Sequence, residues 1–287
     1  MLGEIRTMGF ESIELGSNLK ISQLPGIRRL HQRKRIRITA LRNFCPSPIE
    51  AIAQQYGRCE FSSAETKDRE RAKQLTLQTI DYAKELDAEF VIVDLGQTAM
   101  DEYTNRLVKY VQRNEIHSRD YVRHKLAGVK LREKVGRKDL QRAKESLDWV
   151  VNYAAKKQVK IGVTMRRAYE SLPNEREMVE LMKDYEKNPF VGYWHDFGSA
   201  QVKANLGLIN HRQWLEKMEP FIIGCHLHDV QWPDKTHCVP LSGMIEFDEL
   251  MDIIPSRIPI VWELDSSRRK ADIKQALPVW EQKFGIK

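Results

Sequence analysis

Residues 139–165 read DLQRAKESLDWVVNYAAKKQVKIGVTM. The first part carries Leu140, Ala143, Leu147, Val151 and Ala154 at steps of three and four, the spacing of one buried helix face. The second, Lys160 to Met165, is short, β-branched and nearly uncharged, as suits a strand covered on both faces. Asp139 stands where a side-chain oxygen can cap the helix. A helix running into a buried strand is half of a βαβ unit, and the same pattern recurs outward from here in both directions.

Strand candidates fall at Ser12 to Leu15, Arg35 to Leu41, Phe90 to Leu95, Lys160 to Met165, Val191 to His195, Ile222 to His226 and Ile258 to Leu264. Helices with readable starts lie between them. Ser62 with Glu65 has the spacing of a capping box ahead of Ala72, Leu75, Ile80 and Ala83. Asn174 with Glu177 has it again ahead of Met178, Leu181 and Met182. Strand and helix in alternation mean parallel strands joined by crossovers. No GxGxxG follows any strand, which weighs against a doubly wound sheet and leaves a (β/α)8-type TIM barrel as the expected architecture. Seven strands are legible where such a barrel has eight. Residues 2–10 read as the end of a helix, so the first strand is expected to be missing and the barrel wall open beside Ser12, or covered by a second copy of the chain.

Composition narrows the function classes. With 287 residues, 41% apolar and 30% charged, the chain can bury a core as a single domain over 1–287. No apolar run is long enough to span a membrane, no secretory signal opens the chain, and a cytoplasmic location is the expectation. Cys45, Cys59, Cys225 and Cys238 stand too far apart for a zinc knuckle or a disulfide framework. The net charge of +7 comes largely from Arg28 to Arg37 and from Arg106 to Lys144. Acidic residues interleave the second stretch and no nucleic-acid motif accompanies either, so binding to nucleic acid is disfavoured. The Arg- and Tyr-rich stretch at about 100–136 is too long for an ordinary connection. It reads as an insertion near the C-terminal mouth, either a lid or a surface excursion.

Polar residues at the C-terminal ends of barrel strands face the mouth, where active sites are built. Here they are Glu14, Arg42, Asp94, Arg166, His195, Asp196, His226, His228, Asp229 and Glu263. Carboxylates and imidazoles brought to one place from several strands can hold a divalent metal.

Several motifs, in order, resemble one family. MGFESIEL (8–15), ALRNFCPSP (40–48), GYWHDFGSA (192–200), GCHLHDV (224–230) and VWEL (261–264), with His237 and Gly243 between the last two, are similar to segments of the xylose-isomerase-like TIM barrels. That family comprises sugar phosphate isomerases and epimerases and is related to apurinic-site endonucleases. The resemblance implies a metal held by Asp196, His226 and Glu263, with Glu263 also serving as a base. The family's fourth ligand, a glutamate, is Met165 here. Its other departures are Arg42, Asp94 and Ser199 where histidines are common, and Leu241 for the first glycine of a Gly-x-Gly loop. These losses predict that manganese, magnesium or zinc binds weakly or not at all.

The expected function is therefore that of a sugar or sugar-phosphate isomerase or epimerase with a partly eroded metal site. In this reading Glu263 and His228 act on the substrate, while Arg42, Asp94, Arg166, His195, Asp229 and His237 bind it. The competing class is a non-catalytic barrel whose Arg42 and Arg166 hold an anionic metabolite by bidentate contacts. A nuclease of the apurinic-site branch is disfavoured by the missing histidines.

Overall fold

The computed structural model describes residues 2–47 and 60–285 of the chain; Cys59 and Pro48, the last residue of one motif, lie outside them. Its elements, in order, are α1 (Leu2–Thr7), β1 (Ser12–Leu15), α2 (Leu24–Gln32), β2 (Arg37–Arg42), α3 (Thr66–Glu85), β3 (Phe90–Val93), α4 (Thr104–Gln112), α5 (Arg119–Lys157) and β4 (Lys160–Thr164). There follow α6 (Glu175–Asp184), β5 (Val191–Asp196), α7 (Phe197–Asn205), α8 (His211–Met218), β6 (Ile222–Leu227), β7 (Asp229–Gln231), β8 (Lys235–Cys238), α9 (Phe247–Leu250), β9 (Ile260–Trp262) and α10 (Lys270–Phe284). All seven expected strands are present. They form one seven-stranded sheet in chain order, with β1 and β9 last at either end, the order of a (β/α)-barrel one strand short of eight. No described helix is long and apolar enough to cross a membrane.

The chain divides into two compact units that interleave along the sequence. The first comprises residues 1–96, 141–164 and 182–192. Its strands β1 to β4 pair in parallel, with Ser12 opposite Arg37, Ala40 opposite Phe90 and Phe90 opposite Lys160. Every residue of β3 is buried, which is why that segment reads as unbroken Phe-Val-Ile-Val. Ala72, Ile80 and Ala83 on α3, and Ala143, Leu147, Val151 and Ala154 on α5, are buried as their spacing predicts. The second unit comprises residues 97–140, 165–181 and 193–287 and holds β5 from Tyr193 onward, β6, β9 and the antiparallel hairpin β7–β8.

Two of the predicted helix starts are corrected. Asp139 opens nothing: α5 begins at Arg119, and Asp139 lies inside it, buried, accepting a hydrogen bond from the Ala99 amide at 3.1 Å. Ser62 and Glu65 form no box, because α3 takes Glu65 itself as its N-cap with no side-chain cap bond. Ser63 Oγ accepts from the Glu65 amide instead. The third start holds. Glu177 donates its amide to Asn174 Oδ1 at 3.0 Å, and Asn174 donates its own to Glu177 Oε2 at 2.8 Å.

The 100–136 stretch is α4 and the first half of α5, an anchored part of the second unit. Arg132, 1% exposed, donates to the Tyr169 and Ser171 carbonyls and pairs with Glu177 at 2.7 Å. Tyr121 donates to the Leu206 carbonyl, and the Glu170 carboxylate takes the amide and hydroxyl of Thr104. These contacts fix the loop that follows β4.

Candidate metal centre

Strand register builds the centre. Parallel pairing sets Asp196, the last residue of β5, directly opposite His226 of β6, and His226 opposite Val261 of β9. Glu263 follows β9 and ties its amide to the Leu227 carbonyl at 3.1 Å. Three strand ends thus deliver two carboxylates and an imidazole to one place. Asp196, His226 and Glu263 offer ligand atoms that all lie within 4.8 Å of one another. His226 Nδ1 and Glu263 Oε2 stand 3.6 Å apart, beyond hydrogen-bond length and close enough to share one ion.

Glu263 also belongs to a second set. Its Oε1 lies 3.7 Å from His237 Nε2, and Glu263, His228 and His237 again keep within 4.8 Å. The two sets differ in what His228 can offer. The His237 amide donates to His228 Nδ1 at 3.0 Å, so that nitrogen is an acceptor and the ring proton belongs on Nε2. Nε2 faces Asp196 Oδ1 at 3.1 Å. His228 therefore bears on the centre through Asp196, as a positioning residue. Its ring stacks on His237, with centroids 4.3 Å apart and planes 9° from parallel. Gly198 makes this possible, since a Cβ there would run into the His228 ring.

Asp196 also caps α7, accepting from the Ser199 amide at 2.7 Å. Burial alone would push its carboxyl up. The facing His228, with His226 and the Ser199 amide, outweighs burial and holds it well below the usual range, so it is an anion at neutral pH.

Other candidates have different destinations. Asp229 commits both oxygens to the backbone: Oδ1 accepts from Val230 and Ile245, and Oδ2 from Gly243 at 2.7 Å. It clamps the 239–245 loop to the end of β6. His195 is wholly buried in a one-way chain of hydrogen bonds. Trp214 Nε1 donates to Tyr193 Oη, which lies 3.0 Å from His195 Nδ1; His195 Nε2 lies 3.2 Å from His211 Nε2; and His211 Nδ1 lies 3.0 Å from Gln201 Oε1. With Gln201 as acceptor, each imidazole carries one proton and is neutral. Arg42 ends β2 and Asp94 follows β3, both half-buried in the first unit, while Arg166 is exposed in the second. Cys45 and Cys225 are buried free thiols. Burial pushes Cys45 up to about 12 and raises Cys225 as well, so neither is a nucleophile at neutral pH.

Sequence reading missed the β7–β8 hairpin and an open cleft of about 600 Å³ lined by Arg167, Lys235, His237 and Arg268 among others. Arg268 carries no strand-end signal, because it lies in the loop beyond β9, several residues past the strand's last residue.

The comparisons with known proteins agree with this architecture. Three solved structures superpose on nearly the whole chain. A D-tagatose 3-epimerase-like protein has a TM-score of 0.69 at 19% identity, covering 98% of this chain and 91% of its own. An L-ribulose 3-epimerase has 0.67 at 16%, covering 99% and 87%. An IolI protein with a zinc atom bound has 0.67 at 13%, covering 98% and 90%. At such identities the likeness is one of fold. No curated protein sequence matches the chain significantly. Residues 2–283 match the xylose isomerase-like TIM barrel family, and the chain belongs to that family.

Proposed function

We propose that the protein is a sugar isomerase working at the Asp196–His226–Glu263 centre. The carrying observation is the convergence of these three side chains, from three strand ends, to within 4.8 Å of one another. Membership of the xylose isomerase-like family, and fold relatives that include an L-ribulose 3-epimerase and an IolI protein with a zinc atom bound, support the reading. Two carboxylates and an imidazole suit manganese or zinc as three protein ligands with an open position. A metal so held would polarise the substrate carbonyl and offset the negative charge that develops on proton removal. Met165, buried where the family carries its fourth ligand, makes the affinity low.

The chain's own residues do the rest. Glu263 is the proton carrier: one carboxylate oxygen takes the proton from the carbon next to the carbonyl and returns it to the former carbonyl carbon, while the hydroxyl proton passes from the oxygen of the first carbon to that of the second. His228 keeps Asp196 oriented, and the Asp229 clamp holds the adjoining loop. Inversion at one carbon needs a second group on the opposite face, and the family's second glutamate is Met165. A single base favours transfer between neighbouring carbons on one face, hence isomerisation rather than epimerisation.

The test is proton NMR in deuterium oxide with added Mn²⁺ and a panel of aldoses and ketoses. We expect aldose–ketose interconversion that Glu263→Gln abolishes. Calorimetry with Mn²⁺ should show weak binding that Met165→Glu tightens. If no sugar is converted and Asp196→Asn leaves Mn²⁺ binding unchanged, the reading fails.

A further inference from the structure

The cleft beside the centre has a chemistry of its own. Arg167, Asp234, Lys235, Thr236, His237, Asp265, Ser267 and Arg268 line it, and His237 is shared with the candidate centre. Three fixed cations face two carboxylates, and both carboxylates are already engaged. Asp234 pairs with Arg167 at 3.0 Å. Asp265 accepts from the Ser267 amide at 2.8 Å; the Ser267 hydroxyl and then its amide hold the carboxyl below the usual range, with Arg268 and His237 adding to the effect. Lys235 is exposed, and among the described residues no carboxylate lies within ion-pair distance of it. Arg268 is half-buried and held in place, its Nε donating to the His237 carbonyl at 3.0 Å and Nη2 to Cys238 Sγ at 3.4 Å. Its remaining N–H groups are oriented in advance, the arrangement that suits bidentate recognition of an oxyanion.

We propose that Lys235 and Arg268 receive the anionic end of the substrate, a phosphate or carboxylate, while its carbonyl end lies at the centre. This rests on the isomerase reading and narrows its substrate class to acidic sugars. A neutral hydroxyl would leave the Lys235 ammonium unmatched, whereas an oxyanion would answer it and take the remaining Arg268 N–H groups as well. Thr236 and Ser267 add hydroxyl groups to the lining of the same cleft.

The test is calorimetry with D-fructose, D-fructose 6-phosphate and D-glucuronate, with and without Mn²⁺, on the intact protein. Wild type should bind at least one of the two acidic sugars tenfold or more tightly than D-fructose, and whichever it is identifies the anion. Lys235→Glu, an exposed change compatible with folding, and Arg268→Ala should each bring the ratio of acidic-sugar to D-fructose affinity down to about one, and this ratio, not D-fructose binding itself, is the readout. Lys84→Glu, an exposed change on α3, makes the same change of net charge and should keep the preference. The inference is overturned if acidic and neutral sugars bind alike, or if Lys84→Glu acts like Lys235→Glu. Sugar binding without an acidic preference leaves the isomerase reading standing. If no sugar binds with or without Mn²⁺, both fall.

Discussion

Leu241 adopts φ 69°, in the left-handed region where a Cβ crowds the carbonyl and which glycine adopts without strain. Its side chain is 39% exposed, so it gives little packing in return. Leu241→Gly should therefore raise unfolding stability by roughly 0.5–1 kcal/mol, the relief of strain exceeding glycine's entropic penalty. Urea denaturation at constant m-value would measure it. The same scale shows how far residues could be read from sequence. Asp196, His226 and Glu263 were legible because motif and strand end coincide. The buried fate of His195 was not, since β5 is covered on both faces and alternation no longer separates one destination from another. Nor was the proton position on His228, which depends on an amide supplied by the hairpin.

At the scale of elements, α5 and α2 carry glycines with opposite prospects. Gly26 of α2 has open space where a Cβ would go, so Gly26→Ala should add about 1 kcal/mol through helix propensity. Gly128 of α5 lies against the Tyr103 ring, whose hydroxyl donates to the His124 carbonyl, and a Cβ would enter that ring. Gly128→Ala should cost about 1–3 kcal/mol despite the same gain in propensity. Thermal melts of the two variants, one moving up and one down, check the pair. Arg132→Ala should be more severe, about 3–5 kcal/mol, since it strands Glu177 beside a buried partner site; chemical denaturation is the measurement. Strands were legible because buried parallel strands are short apolar runs with sharp ends. The start of α5 was not, because Asp139 looks like a cap while its hydrogen bond goes to Ala99, forty residues earlier, a tertiary contact that no local pattern announces.

For the whole molecule, acid sensitivity should follow from the neutral His211. Burial lowers its pKa to about 4. The unfolded chain takes up this proton below about 6.5 and the folded one does not, so stability is full above that pH and falls as the pH drops toward 4. Between pH 7 and 5 the His211 share of the loss should be about 2 kcal/mol, and His211→Gln should make that segment of the urea-midpoint profile shallower, while His195, buried and neutral beside it, keeps a slope of the same sign. Fold class was the most legible feature of all, because it rests on a rhythm repeated seven times, and no single misread helix start could disturb it. The cleft was illegible for the opposite reason: its residues come from two loops and the β7–β8 hairpin, and no one segment looks unusual alone. The β7–β8 hairpin is where these scales meet. Within ten residues, Asp229 to Cys238, it carries the clamp on one loop, the amide that fixes His228, the second imidazole of the centre and the lysine of the cleft. It is a cartridge inserted in the chain between β6 and β9, two strands that pair directly with each other. Exchanging it for the equivalent segment of a relative would change substrate preference and tune the centre in one step, leaving the strands that supply Asp196, His226 and Glu263 untouched.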